Sequence, residues 1–504
     1  MTPTNTQQSK KVFRIDLNNS NLPYLVVTGI FIISRIIFAI VGVSYDSNYS
    51  TDAWQAIDPA MLLSQPFESI WYLHTQPPIL NALIGAILHI SPNHLGQICH
   101  SVFFIGGCGM SLALCALLQR IGASPIFAII ITSLFIISPS SILYENYLFY
   151  THPTTVILCV AAYFLYKFIE TKRTLWGLCF FFLCSLGVLT RSLLHVGWFA
   201  IIILLLLICA RPIGIRKILL TSLIPFLICF GWYAKNAAIF GSFTASTWMG
   251  LNATHATVNL LTPEERSSLI ADGTLSPLAN VLPPFRAFNE YPPEYATPAQ
   301  MSTLSLPNAA LLQQPFKSDG TPNYHYAGYI PISRQYWENS KNLIRAKPFF
   351  YMKQTTKSMG IFLLPSSRYF FLDNNREKIE PYTTIYSAVI LGSRTDNFTT
   401  SNRSPFMLCW WYIISLVFSS LWWIARLITT RFNLILNMQS ARTVMLLYAI
   451  FTIVYVFTVS SLIEHVENLR FSYMVSPLVI IVLSATYYNI KSKGLNSVFK
   501  RNRH

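Results

Sequence analysis

Charge is what this chain has least of: 11% of its 504 residues are Asp, Glu, Lys or Arg, against 53% that are hydrophobic. A water-soluble fold of this length needs far more charge to cover its surface, so an ordinary soluble enzyme is excluded. Acids are the scarcer sign, 20 against 36 Lys and Arg. The resulting +16 needs no nucleic acid to explain it, because the cations gather in loops and tails of the kind that face anionic lipid. Zinc-type spacing of Cys with His is missing, and the nine cysteines all lie in or beside apolar runs, where they read as packing residues rather than bridges. Also missing is an internal repeat of the sort that organises many transporters.

What the chain has instead is a series of apolar runs near twenty residues, the length that crosses a hydrocarbon core ~30 Å thick. Runs at 22–43, 97–118, 125–143, 152–169, 174–189, 193–210, 218–234, 405–425, 443–463 and 471–490 predict an all-α polytopic membrane protein with ten spans. Residues 78–90 are apolar but too short to cross, and read as an interfacial or re-entrant helix. Lys10, Lys11 and Arg14 precede the first span, and the further cations fall in alternate loops: Arg120, then Lys167, Lys172 and Arg173, then Arg211, Arg216 and Lys217, then Arg426, Arg431 and Arg442. Residues 44–96 and 144–151 contain no Lys or Arg. By the positive-inside rule both termini are expected in the cytoplasm and the cation-free loops outside. The basic start runs into the first span without a small-residue cleavage site, so no cleavable signal is expected.

The layout that follows is a cytoplasmic arm (1–21), an N-terminal membrane module (22–234), a large outer region (235–404), the C-terminal spans (405–490) and a basic tail (491–504). The outer region is too long for a simple connection and reads as a lid or small domain. Within it, 338–364 has the basic and apolar positions of one or two amphipathic helices lying on the membrane, and 283–331 reads as extended loop.

Candidate chemistry comes from charges that break the topology rule. Arg191, Arg470 and Lys235 sit at the outer ends of separate spans, where a structural pair with Glu145 or Glu464 competes with convergence on an anionic ligand such as a phosphate. Facing them are the acids of the first outer loop. Asp52 and Asp58 both have the look of helix N-caps, whereas Asp46 has no helix after it and is the first choice as general base. His74, Gln76, Glu145, Asn236, His465 and Glu467 supply further polar groups at the same end, with His74 read as scaffold. A divalent cation stays possible, without decisive ligand spacing. Arg35, inside the first span, is expected to face the bundle in a structural ion pair.

The order of motifs carries a resemblance. HTQPPILN (74–81), YENYLFYTHP (144–153), LTRSLLH (189–195), WYAKNAAIFGSFTASTWMGLN (232–252) and ENLRFSYMVSPL (467–478) follow one another as in the GT-C superfamily of polytopic glycosyltransferases. The chain most resembles its protein-mannosyltransferase and aminoarabinose-transferase-like branch. The resemblance implies a GT-C-like bundle that transfers a sugar from a polyprenyl-phosphate donor to a glycan, lipid or protein acceptor at the outer face, with inversion and a first-loop Asp as base. It implies Asp46 for that base, with Asp58 and Asp52 open, and Arg191 and Arg470 as the basic residues on the donor phosphate. Two departures stand out: Ser192 replaces the family's usual Pro, and Gln76 holds the place of a His or Lys before the Pro pair. Two other readings stay open, a lipid or solute transporter and a non-catalytic relative. The absence of eukaryotic retention signals favours a bacterial inner membrane.

Overall fold

The computed structural model describes residues 21–210, 213–295, 306–392, 410–429, 440–465 and 467–493. The N-terminal arm to residue 20, the start of the 405–425 run with Cys409, and the tail beyond 493 lie outside the described residues, as does the side chain of Asp52. Among the described residues there is no strand, and the chain is a multi-pass α-helical membrane protein.

Helix α1 (Leu22–Ile40) leads into three short helices, α2 (Tyr49–Asp52), α3 (Pro59–Ser64) and α4 (Pro66–Trp71). Proline at the first position starts α3 and α4, where its missing N–H has no intrahelical partner to lose. Helix α5 (Ile79–Ile90) has 12 residues, about 18 Å at 1.5 Å per residue, too short to cross. Helices α6 (Leu95–Arg120), α7 (Pro125–Ile136) and α8 (Pro139–Glu145) follow, the last two bent by 56° where Pro139 interrupts the hydrogen-bond ladder and Ser138 caps the new start. Then come α9 (Thr151–Thr171), α10 (Thr174–Thr190), α11 (Val196–Cys209) and α12 (Ile215–Phe240). The polar region holds α13 (Met249–Ala256), α14 (Pro263–Ala271), α15 (Ala310–Gln313), α16 (Tyr329–Ala346), α17 (Pro348–Phe362), α18 (Asp373–Lys378) and α19 (Glu380–Tyr386). The C-terminal helices are α20 (Trp410–Thr429), α21 (Ala441–Ile463) and α22 (Asn468–Lys493).

Among the described residues six helices are long and apolar enough to cross a membrane, seven if the bent α7–α8 pair counts as one span, against the ten expected. Helices α10 and α11 have 17 and 14 residues, so α11 extends only about 21 Å. Asp52 also differs from its reading as an N-cap: it ends α2, and Ala53 after it is extended. The 283–331 segment is not simply extended; it contains 3-10 turns and α15, packed around Trp248, Phe285, Tyr291, Tyr324, Tyr329 and Tyr336. Gly250 makes the close approach of α13 to α16 possible, since a Cβ there would lie 1.7 Å from the Ser333 carbonyl oxygen.

Contacts sort the loops into two ends. At one end Arg120 pairs with Glu170 and Lys217 donates to the Lys172 carbonyl. At the other, Asn375 grips the Ser44 backbone through both amide atoms, Lys235 donates to Trp71, and Tyr351 donates to the Leu462 carbonyl. Helix α22 is the centre of the bundle: 83% of its apolar window is buried, against 28% for α1. It enters the core from the loop-rich end, carrying Arg470 on its first turn.

Candidate functional site

Backbone pairing sets the position of Asp46. Its N–H donates to the Asn146 carbonyl and its carbonyl accepts from Leu148 N–H, both at 2.8 Å, which lays the exit of α1 along the segment between α8 and α9. The carboxylate accepts the Asn48 N–H at 3.0 Å and has no cationic partner among the described residues. It lines a cavity of about 530 Å³ together with Asn48, Trp54, Gln55, Tyr147, Phe149, Phe371, Asn374 and Glu467. Two carboxylates, three amides and several aromatic rings therefore face one space.

Glu467 ties the wall of that cavity to a buried arginine. Arg470 is 1% exposed and pairs with Glu467, while its other terminal nitrogen donates to the Tyr150 hydroxyl. Tyr369 donates to the second Glu467 oxygen at 3.3 Å. Arg191 lies beside this group, its guanidinium carbon 4.2 Å from the Tyr150 ring centre and 5.2 Å from that of Phe471. The Arg470 guanidinium is 5.1 and 4.9 Å from the same two rings. Two buried like charges thus share two aromatic faces, an arrangement that lowers their mutual cost through cation–π attraction. The Nε of each arginine has no hydrogen-bond partner among the described residues. Burial, with the like charge of Arg470, pulls Arg191 down to about 10, still a cation at neutral pH. Arg191 also lines a second cavity of about 240 Å³ with Ser246, Asn252, His195 and Glu464. Burial holds the Glu464 carboxyl above the ordinary carboxylate range, opposed by Arg470 and Arg191.

The structure therefore brings together Asp46, Arg191 and the Glu467–Arg470 pair from three separated segments of the chain. Among the described side chains, the other candidates lie elsewhere and line neither cavity. Glu145 is fully buried and takes Arg35 in a bidentate pair at 2.9 and 2.7 Å, so it is the partner of neither Arg191 nor a substrate. The Lys235 ammonium donates to the Trp71 and Leu73 carbonyls at 2.8 and 3.2 Å and sits 3.6 Å from the Trp232 ring centre; it holds the end of α4 rather than a phosphate. Asn236 donates to the Thr244 carbonyl, His465 contacts the Ser358 hydroxyl, and Gln76 is buried.

Asp58 is the N-cap of α3, and it also accepts from the backbone and hydroxyl of Ser318 at 2.7 and 2.9 Å. Next to it Lys317 donates to the Thr51 and Ala53 carbonyls, so the 316–322 turn clamps the loop that carries Trp54 and Gln55. Asp58→Asn turns one acceptor oxygen into a donor facing the Ser318 N–H. A stability loss of about 1–3 kcal/mol is expected, read as a lower melting temperature in detergent; an unchanged melt would show that the clamp contributes nothing.

His74 is fully buried between Thr247 and His325. Its Nε2 lies 2.9 Å from the His325 carbonyl, which only accepts, so Nε2 carries the proton and Nδ1 accepts from the Thr247 hydroxyl. Burial pushes His74 down to about 4, and burial with Lys317 and His74 nearby pushes His325 down to about 3. Both rings are neutral when folded. Below about pH 6.5 the unfolded chain binds protons that the folded chain refuses, so stability falls as the pH drops from there toward 4 and is unaffected above it. The melting temperature is expected to decline between pH 7 and 5 and to decline less in His74→Gln; a flat profile would contradict the neutral assignment.

Several members of the site were not singled out from the sequence. Tyr150 lies inside the YENYLFYTHP motif, but no periodicity distinguishes it from its neighbours. Tyr369, Phe371 and Asn374 come from a stretch without apolar rhythm, and only the packing of α18 on the exit of α1 brings Phe371 and Asn374 to the cavity and Tyr369 to Glu467. No group of three or more His, Cys, Asp or Glu positioned to hold a metal ion occurs among the described residues. Comparison of the chain with protein-family models, curated proteins and solved structures finds no match.

Proposed function

We propose that this protein is a membrane glycosyltransferase that moves a sugar from a polyprenyl-phosphate-linked donor to an acceptor, with inversion, and that Asp46 is the general base. The observation that carries this reading is the meeting of Asp46, without a cationic partner among the described residues, and Glu467 in one aromatic-lined cavity, with Glu467 tied to the buried Arg470 and Arg191 beside it. In the reaction the acceptor oxygen attacks the anomeric carbon from the side opposite the phosphate. The carbon–oxygen bond to the phosphate breaks, its electron pair leaves on the polyprenyl phosphate, and the acceptor proton passes to Asp46. Arg470 and Arg191 neutralise the leaving phosphate in a site shielded from water. The reading takes the ten-span GT-C-like arrangement, with α10, α11 and α20 counted as crossings. It also takes both termini as cytoplasmic and the loop-rich end as extracytoplasmic, on the distribution of Lys and Arg. The bacterial inner membrane is the proposed location.

The test is transfer from a panel of radiolabelled polyprenyl-phosphate sugars by the native protein in proteoliposomes, beside Asp46→Asn and Arg470→Ala. Donor consumption by the native chain and its loss in both variants is expected. Movement of a lipid or solute across the bilayer with no donor consumed would replace this reading with transport.

A further inference from the structure

Helix α17 packs a mixed buried face against the ends of α21 and α22: Gln354, Thr355 and Ser358 in its middle, Ile361 and Phe362 at its end. Its solvent-facing start shows Phe349, 83% exposed, and Met352, 61% exposed. Two large apolar side chains left open one helical turn apart form a patch suited to contact with an apolar phase. The depth of the helix is fixed by two spans: Tyr351 donates to the Leu462 carbonyl at 2.9 Å, and Asn468 donates to the Ser358 carbonyl at 3.1 Å, so α17 lies level with the turn that ends α21 and begins α22. That level is the boundary between hydrocarbon and water.

Charge surrounds the exposed pair. No Asp or Glu occurs between residues 339 and 372, and Arg345, Lys353 and Lys357 are exposed around Phe349 and Met352. These three make no ion pair among the described residues, whereas Lys341 and Lys347 are taken by Glu338 and Glu265. Unpaired cations around an apolar tip at the end of a bundle complement a surface that is apolar inside and anionic outside.

We infer that the start of α17 inserts into the bilayer interface through Phe349 and Met352, and that Arg345, Lys353 and Lys357 bind anionic phospholipid headgroups there. Because the same helix braces the 462–468 turn through Tyr351 and Ser358, the lipid surface is coupled to the elements that carry Glu464, Glu467 and Arg470. The inference stands apart from the catalytic reading.

The test places an environment-sensitive fluorophore on Phe349→Cys in the full chain, reconstituted in nanodiscs of phosphatidylcholine alone or with phosphatidylglycerol; the native chain treated identically gives the background from its own cysteines. Brominated lipid is expected to quench the probe in both discs, at least roughly twofold more in the anionic ones, with the excess abolished by Lys353→Glu with Lys357→Glu. Quenching by aqueous iodide and not by brominated lipid would overturn the insertion and leave this face to water or a protein partner. Equal lipid quenching in both discs would overturn the anionic preference.

Discussion

Asp46→Asn is expected to lower the rate of sugar transfer by about 10²–10⁴-fold, the contribution general-base assistance typically makes, while leaving the fold intact. The substitution isolates chemistry from structure because Asn keeps an acceptor oxygen for the Asn48 N–H, and because the position of residue 46 is set by its backbone bonds to Asn146 and Leu148. The melting temperature should match that of the native chain, and the KM for donor should change little, since the donor phosphate is assigned to Arg470 and Arg191. Initial rates in proteoliposomes decide the matter. Activity within a few-fold of native would remove Asp46 as base and leave Glu467, the other carboxylate of the cavity, as the acid to examine.

Glu145→Ala is expected to destabilise the protein by about 3–5 kcal/mol, because it strands the Arg35 guanidinium inside the bundle. Arg35 is 8% exposed and Glu145 0%. The remaining partners of Arg35, the Ile136 carbonyl and the Ser34 and Ser141 hydroxyls, are neutral. No water is at hand in the membrane interior to replace the lost carboxylate. The space around the pair is tight: a Cβ on Gly107 would come within 2.5 Å of a Glu145 oxygen. The damage should reach the site, because Glu145 immediately precedes Asn146, whose carbonyl holds the Asp46 N–H. Thermal unfolding in detergent gives the measurement. The apolar double replacement, Arg35→Leu with Glu145→Leu, should be milder than Glu145→Ala, since it removes both charges; a double variant as unstable as the single one would show that packing, not charge, dominates.

Arg191 and Arg470 stood out in the sequence because a cation at the end of a span without a loop of its own sign is costly, and that argument needs no coordinates. The helix cap at Asp58 was equally local, followed by Pro at the first helical position. Lys235 broke the same rule as the arginines, yet its need is met by two backbone carbonyls and an indole face. Glu145 read as a polar group of the site or a partner for Arg191, and it is held by Arg35, 110 positions away. A sequence motif states that a polar group needs a partner; it does not say which one.

By itself the sequence determined that this is a helical membrane protein, where the apolar runs begin and end, and which loops lack cations. Each of these follows from hydropathy and charge within a window of neighbouring residues, the scale on which the cost of burying backbone and charge in lipid acts. Only the tertiary structure decided that α11 is held to 14 residues, that Asp46 rather than Asp58 faces the cavity, and that Tyr150 gathers both arginines. Arg470 and Tyr150 lie 320 residues apart. Their meeting depends on how α9 and α22 pack in the core, and packing is set by the shapes of whole helix faces, which no local pattern encodes.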